Sequence, residues 1–376
     1  MEPPPLSPPS APGLRVRGEI VLYRLFEIGY EIELDRAGQL LASNAPLRMR
    51  PTRGEAQAIQ IANPPLTASL REEVVAVGSD RVTGQLSVRL FDFGVASLRL
   101  QIPLSGPLSW DDFTALGHAF LAAPLEDLFL GVRDELCEQI RPAIVRAGHG
   151  TVTEEYVVFR LHRLEDTAGD PVGPERLTDQ DLSQLLLGET RPLSPSSITE
   201  MLSPRLSYFA DDVTVITWNA ALVLEPNLQD SDVEYVLEFA NAQLLELRWH
   251  DQQLDQELPR IYDEVAAARR AFHLLGRRFS RLLGAIQTRV ADATESVERA
   301  ENSLKVTDDV FLARIYTSAL DIFRGPTWRR GIDRKMSIVR ETYTMLNAES
   351  QALRTEVLEL IIVFLIVLEI LLALWK

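Results

Sequence analysis

The chain has 376 residues, 46% hydrophobic side chains and a formal net charge of −16. This length accommodates two ordinary domains, or one domain with a long helical appendage, and the apolar content excludes general disorder. The negative charge argues against a direct nucleic-acid partner, because phosphate contacts need a basic face.

The N-terminal half begins with a proline-rich tail, residues 1–13, which has five prolines in nine positions and the features of neither a signal peptide nor a transit peptide.

Residues 14–148 predict an α+β unit. The stretch "GEIVLYRLFEIG" is strand-like, and the alternation around "FDFG" predicts two strands joined by a turn at Asp92–Gly94. Ser109 then caps an amphipathic helix whose first turn is acidic.

Residues 149–258 predict a second α+β unit. The strand "EEYVVFRLHRL" is followed by a helix with Thr178 as its cap, by strands around Asp211–Asp212, and by a helix that opens at Ser231. Strand, helix, strand, strand and helix thus recur in the same order. We therefore predict an α+β head made of two degenerate units, each covering the apolar face that the other leaves exposed.

Residues 259–356 predict an antiparallel, coiled-coil-like helical arm. From Val233 to Ile286 apolar residues recur at spacings of three and four, with a kink or break expected at Pro259. Thr307 is the expected cap of the next helix, "RGPTWRRG" predicts a turn, and the last helix should begin near Ile332. The stretch 260–340 holds 16 Lys/Arg against 10 Asp/Glu, so it is +6 while the rest of the chain is −22.

Residues 357–376 predict a C-terminal transmembrane anchor. Fifteen of the sixteen residues from Leu360 to Trp375 are apolar, and Phe364 and Leu368 continue the run between them. Trp375 marks the interface. The arginines that precede this run place the head in the cytoplasm and the C-terminus outside, in a single-pass protein of the cell (inner) membrane. The alternative is a buried coiled-coil helix, which would need a polar back.

Glu369 lies inside the apolar run, where a carboxylate in hydrocarbon costs about 2–3 kcal/mol. Packing against a neighbouring helix would relieve that cost, so Glu369 indicates self-association, with placement at the membrane interface as the alternative. The predicted partners are a lipid bilayer, further copies of the chain through the arm and the anchor, and an unknown protein. No direct nucleic-acid partner is predicted.

The stretches "DDVTVITWNAALVLEP" and "DVEYVLEFANAQLLELRWHDQQLD", with the closing "LI..LE", resemble the required-for-meiotic-nuclear-division family over residues 150–376. That family is catalogued as a domain of unknown function and includes fungal sporulation proteins and a mitochondrial inner-membrane protein. The resemblance implies a bacterial-type member, C-terminally anchored and without established enzymatic activity. A role in supporting translation, as suggested for the mitochondrial relative, is a further implication.

The sequence offers few candidates for catalytic or metal-binding residues. A possible functional surface comprises Asp211, Asp212, Trp218, Asn219, Glu246, His250, Asp251 and Asp255. Glu246 and His250 share a helix face at i,i+4, a spacing that could hold a metal but more often forms a solvated face. The acids before a strand are ordinary turn residues, and Cys137 fits a buried, inert thiol. No catalytic, cofactor-binding or metal residue is therefore assigned.

The sequence thus predicts a tail-anchored, self-associating scaffold that is not an enzyme and recruits a partner through its head. The alternatives are a membrane-tethered factor that supports translation, and a metal-dependent membrane-tethered enzyme.

Overall fold

A computed structural model describes residues 13–42, 47–48, 59–61, 63–78, 80–148, 150–226, 232–270, 284, 288, 304–306 and 310–375. The proline-rich residues 1–12, the expected caps Ser231 and Thr307, and the apolar positions from Phe272 to Ile286 lie outside the described residues. The chain divides into two compact units. The first is formed by Met1–Trp249 and Arg299–Pro326, and the second by His250–Glu298 and Thr327–Lys376.

The first unit contains one large mixed sheet of 11 strands and two small two-stranded sheets. The strands are β1 (Arg15–Glu27), β2 (Gly29–Ile32), β3 (Leu47–Arg48), β4 (Ile59–Ile61), β5 (Leu66–Val77), β6 (Asp80–Leu90), β7 (Val95–Pro103), β8 (Leu108–Ser109), β9 (Ile144–Ala147), β10 (Thr153–Glu165), β11 (Pro171–Val172), β12 (Arg205–Leu206), β13 (Val213–Ile216), β14 (Ala220–Leu224) and β15 (Leu304–Val306).

The described helices are α1 (Leu34–Leu40), α2 (Trp110–Leu121), α3 (Glu126–Ile140), α4 (Asp179–Leu187), α5 (Pro195–Met201), α6 (Asp232–Arg270), α7 (Val310–Ile322) and α8 (Gly325–Leu374). Two short 3₁₀ turns span Arg141–Ala143 and Pro174–Arg176. The mixed α+β class predicted from the sequence is confirmed.

The strands of both predicted units join in a single sheet, in the order β12-β13-β14-β10-β1-β7-β6-β5-β3. The central strand β1 pairs antiparallel with β7 on one side and with β10 on the other. Beyond it, β10 pairs parallel with β14. The two halves of the head therefore differ in topology although their elements follow a similar order.

Successive side chains of the central strands point to opposite faces of this sheet. One face carries Ile20, Leu22 and Phe159, which belong to the same buried cluster as apolar residues of α2, α3 and α4. The Phe113 ring of α2 meets the Phe159 ring edge-on at 5.7 Å between centroids. The other face carries arginines among buried apolar residues such as Val21, Leu25 and Val158, and it lies under the first half of α6.

Local signals in the sequence correspond to observed caps and turns. The Ser109 hydroxyl accepts from Asp112 N at the start of α2, and Thr178 forms a capping box with Asp181 at the start of α4. The "FDFG" turn connects β6 to β7, with Gly94 at φ +97°. A Cβ on Gly94 would lie 1.8 Å from the Gly29 carbonyl oxygen, so the turn requires glycine.

Two predicted helix boundaries are wrong. The helix α6 continues through Pro259, so the break that was one of the two expectations there is not found. The last helix begins at Gly325 rather than near Ile332, because the turn before it is confined to Phe323 and Arg324. Pro326 then falls in the first helical turn, where a missing N–H costs nothing.

In the second unit, α6 and α8 each contribute a buried apolar row: Leu254 and Ile261 from α6, and Ile332, Met336 and Val339 from α8. The ammonium of Lys335 on α8 lies 2.7 Å from a carboxylate oxygen of Asp251 and 2.6 Å from one of Asp255, both on α6. Burial alone would lower the pKa of Lys335, but the two carboxylates outweigh it and raise the pKa.

In the part of the chain that the structure describes, no single helix has both the length and the apolar character needed to cross a bilayer. One pair of helices, Trp110–Leu121 and Glu126–Ala143, has them when taken together, and this pair is bent by 61°. The transmembrane anchor predicted at 357–376 is therefore not supported. The helix α8 extends to Leu374, and its described residues 358–373 are exposed.

Candidate functional site

A charged layer lies between the sheet and the first half of α6. Arg89, Arg99 and Arg160 project from β6, β7 and β10, and Glu234 and Glu238 face them from successive turns of α6. The arginines occupy alternate positions in otherwise apolar strands, so their side chains leave the sheet on the face opposite the apolar core.

The ion pairs of this layer are close and largely withdrawn from water. Arg99 Nη2 lies 2.6 Å from Glu234 Oε1, and Arg160 Nη1 lies 3.5 Å from Glu234 Oε2 and 2.8 Å from Glu19 Oε1. Arg89 pairs with Glu238, whose side chain is 0% exposed. Isolated charges at these depths would be strongly unfavourable, so each depends on its partner.

Glu234 and Arg99 stabilise each other's charged forms. Burial would raise the pKa of Glu234, but Arg99 and Arg160 outweigh it and lower the pKa. Burial lowers the pKa of Arg99, but the neighbouring Tyr23 and Glu234 outweigh it and leave it well above its ordinary value. The hydroxyl of Tyr23 donates to Glu234. These contacts join the start of α6 to the central strands of the sheet.

Further along α6, a buried glutamate of this helix faces a buried glutamate of β1. Glu27, the last residue of β1, is 3% exposed and faces Glu246, which is 2% exposed. Burial first, and then the Glu246 carboxylate, raise the pKa of Glu27 well above its ordinary range. Gly94 and Gly150 make room for this pair, since a Cβ on either would lie within 2.9 Å of a Glu27 atom. Burial beside a second carboxyl group favours the protonated form of Glu27.

A third carboxylate, Glu154 on β10, pairs with Arg248 of α6. Burial raises the pKa of Glu154 to about 7, against the opposing effect of Arg248. Glu27 and Glu154, whose pKa values are raised, therefore both lie beside α6 at this end of the sheet.

The predicted surface residues do not form one site. Asp212 is buried, and its carboxylate accepts from the backbone N–H groups of Tyr208 and Phe209 at 2.8 and 3.1 Å, while Asp211 is exposed. Trp218 and Asn219 occupy the turn between β13 and β14. The Trp218 ring lies 6.4 Å from the ring of Phe323, centroid to centroid, and the Asn219 carbonyl accepts from Val157 N.

The predicted helical cluster is split between different contacts. Glu246 faces Glu27, whereas Asp251 and Asp255 bind Lys335. His250 is buried on the same helix. Among the residues that the structure describes, no three His, Cys, Asp or Glu side chains are placed to hold a metal ion together.

The residues predicted to anchor the chain lie on a continuous exposed surface. We call residues 358–373 of α8 the apolar segment. All sixteen are exposed and fourteen are apolar, the exceptions being Glu359 and Glu369. Leu360, Phe364 and Leu368 are 69%, 65% and 41% exposed, and Trp375 beyond them is 93% exposed. Soluble chains rarely expose so large an apolar patch unless another surface covers it.

By its sheet and helices the first unit is a mixed α+β domain with a buried ionic layer. Residues 17–231 match the family described as "Uncharacterized protein MJ0711, N-terminal domain", and the chain belongs to this family. The match ends at the residue before α6, so it includes the three layer arginines but not their glutamate partners on that helix.

Among curated proteins, the uncharacterized protein MJ0711 of Methanocaldococcus jannaschii is 25% identical over 195 residues, which are 52% of this chain and 59% of the relative. The chain thus matches about three fifths of that relative's length. No solved structure matches significantly.

These comparisons correct the family expected from the sequence. The chain belongs to the MJ0711 N-terminal family, so its assignment as a bacterial-type member of the required-for-meiotic-nuclear-division family is wrong. The quoted stretches misled because an apolar strand pair followed by an amphipathic helix is common to many α+β proteins. The translation-related role depended on that resemblance and is withdrawn with it.

Sequence reasoning missed the ionic layer. A signal was present: "SVRLFDF", "SLRLQI" and "VVFRLH" each place one arginine inside an apolar strand. An arginine buried in such a strand needs an acidic partner, and "DVEYVLEFA" supplies two glutamates one helical turn apart.

Proposed function

We propose that this chain is a non-catalytic assembly protein that self-associates through the apolar segment and presents its α+β head to a protein partner. The observation that carries the proposal is the exposure of all sixteen residues of that segment. Its apolar residues lie on every side of the helix, so a bundle of copies covers them better than a single flat contact does.

The size of the apolar surface favours a stable association. A large apolar side chain contributes about 1.5–3 kcal/mol when it is fully buried. Thirteen such side chains between Leu358 and Leu372 are 41–69% exposed, so covering them is worth on the order of 10 kcal/mol before the entropic cost of association. Glu359 and Glu369 would then lie at the bundle surface or share protons between copies.

The paired helices of the second unit would support such a bundle. We propose that the buried rows of α6 and α8 form an antiparallel pair, fastened by Lys335 with Asp251 and Asp255, that holds the apolar segment in a helical conformation. The head would recruit its partner without chemistry, because the described ion pairs serve its own packing.

Co-purification of two differently tagged copies of the full chain tests the proposal. Wild-type copies should be recovered together after co-expression. The double substitution Phe364→Glu and Leu368→Glu places two charges on one face of the apolar segment and should reduce recovery at least about tenfold.

Val74→Glu is the matched control, because Val74 is a 59% exposed apolar residue of β5 in the head. It should leave recovery unchanged. Wild-type copies that do not co-purify contradict the proposal, and so does equal recovery of the wild type and the double variant.

A further inference from the structure

One carboxylate interrupts the exposed apolar surface of α8. Glu369 is an exposed residue of the apolar segment, and its neighbours one helical turn away are exposed and apolar: Leu365, Ile366, Leu372 and Ala373. None of these side chains can donate a hydrogen bond or supply a positive charge. In the part of one chain that the structure describes, this carboxylate is therefore solvated by water.

Glu359, the other carboxylate of the segment, has a different environment. The stretch that precedes it on α8, "ESQALRTE", is mainly polar, so Glu359 lies where the helix changes from polar to apolar. Nine apolar residues separate it from Glu369, and four more follow Glu369. A contact that covers the length of the segment therefore includes Glu369 and can leave Glu359 at its edge.

Self-association through the segment withdraws Glu369 from water. Leu365 and Leu372 are seven residues apart, and with Glu369 between them they form one row along the helix. Covering both leucines also covers the carboxylate between them. A carboxylate removed from water is strongly disfavoured in its charged form unless a positive charge meets it.

The segment of a second copy supplies no positive charge. Between Glu359 and Lys376 the sequence has no Lys, Arg or His. Two segments that overlap along their length therefore bring to Glu369 only apolar side chains or the carboxyl groups of the second copy's Glu359 and Glu369. Burial and a like charge act in the same direction, because both favour the protonated carboxyl. A protonated carboxyl can also donate a hydrogen bond to a neighbouring carboxylate.

Given the proposed self-association through the apolar segment, on which this inference rests, we propose that copies associate with Glu369 protonated, so that the assembly forms more tightly as the pH falls. A glutamate exposed to water is ionised at neutral pH, and one that must lose its charge when it is covered takes up a proton on association. Association is then strongest at low pH and weakens as the pH rises. Each proton taken up changes the association constant by up to about tenfold per pH unit.

Sedimentation equilibrium of the full chain at about pH 7.5 and pH 5.5, in detergent-free buffer of constant ionic strength, tests this regulation. The measured quantity is the protein concentration at which half of the copies are associated. For the wild type this concentration should be at least about tenfold lower at the lower pH. Glu369→Gln is neutral at both pH values, so it should associate at least about tenfold more tightly than the wild type at the higher pH and lose most of the pH dependence.

Glu341→Gln is the matched control. It removes one charge from an exposed side chain of α8 outside the segment, where the Ser337 hydroxyl donates to the Glu341 carboxylate at 3.2 Å. It should associate like the wild type at both pH values. Any change that comes from the lower net charge of the whole chain at low pH is shared by this variant and Glu369→Gln.

The inference is overturned if wild-type association does not change with pH, or if Glu369→Gln keeps the pH dependence of Glu341→Gln. It is also overturned if association weakens as the pH falls, because that result would show a positive charge meeting Glu369. Self-association itself stands after each of these results. It fails separately, and the inference with it, if the wild type and Glu369→Gln both remain single chains at both pH values.

Discussion

Glu27 is the residue whose environment makes the clearest prediction about pH. Burial and the nearby Glu246 carboxylate raise its pKa well above the ordinary range in the folded chain. An acid with a raised folded pKa contributes stability that is complete below its unfolded pKa of about 4.3 and is lost as the pH rises through the folded pKa.

Glu27→Gln should remove the loss of stability at high pH, because the amide is neutral at every pH and still donates a hydrogen bond to Glu246. We expect the free energy of unfolding of the variant to exceed that of the wild type by about 1–2 kcal/mol at pH 8, and the difference to shrink toward pH 4. Urea denaturation across this pH range measures it. Glu138→Gln, on an exposed side chain, should change little. A difference that does not vary with pH would contradict a raised pKa of Glu27 in the folded chain.

Gly94 gives a second prediction at the scale of one residue. Gly94→Ala should lower the free energy of unfolding by about 3 kcal/mol or more, because it combines a left-handed backbone with a Cβ placed 1.8 Å from the Gly29 carbonyl oxygen. Gly78→Ala is the matched control. Gly78 has φ +60° but open space around it, so the cost should be about 1 kcal/mol. Equal losses in urea denaturation would show that the close approach at Gly94 does not matter.

At the scale of elements, α6 depends on its ion pairs with the sheet. Arg89→Met should destabilise the first unit by about 3–5 kcal/mol, because it leaves the Glu238 carboxylate buried without its guanidinium. The double variant Arg89→Met, Glu238→Leu should recover most of that loss, since it removes both charges. A double-mutant cycle by urea denaturation measures the coupling. If the double variant is as unstable as the sum of the single variants, the two side chains do not act as a pair.

The same elements show which features can be predicted from sequence. The caps at Ser109 and Thr178 and the turn at Asp92–Gly94 depend on residues a few positions apart, so local chemistry specifies them. The position of α6 depends on contacts between residues far apart in sequence, such as Arg99 with Glu234. Its heptad-like spacing predicted an arm, yet the described residues 232–246 are buried on every side.

The candidate surface was predicted only in part. Leu360, Phe364 and Leu368 were predicted to anchor the chain in a membrane, and the structure places them on the exposed part of α8. Whether lipid or protein covers such a helix is a property of the assembly, which hydropathy does not report. Asp212 was chosen as a possible functional acid but holds the Tyr208–Phe209 turn, since its role depends on backbone N–H groups that folding brings to it.

For the molecule as a whole, the two units have different roles in the proposed assembly. The head contains the buried ionic layer and belongs to the MJ0711 N-terminal family over residues 17–231. The apolar segment lies outside that match and has no described covering surface of its own. The proposed self-association therefore belongs to the part of the chain that the family match does not include.

Sedimentation equilibrium of the full chain in detergent-free buffer tests self-association most directly. We predict a molar mass of at least two chains at micromolar concentration, and a single-chain mass for the variant Phe364→Glu, Leu368→Glu under the same conditions. A wild-type chain that remains a single copy over that range, with or without added phosphatidylcholine vesicles, would contradict the account.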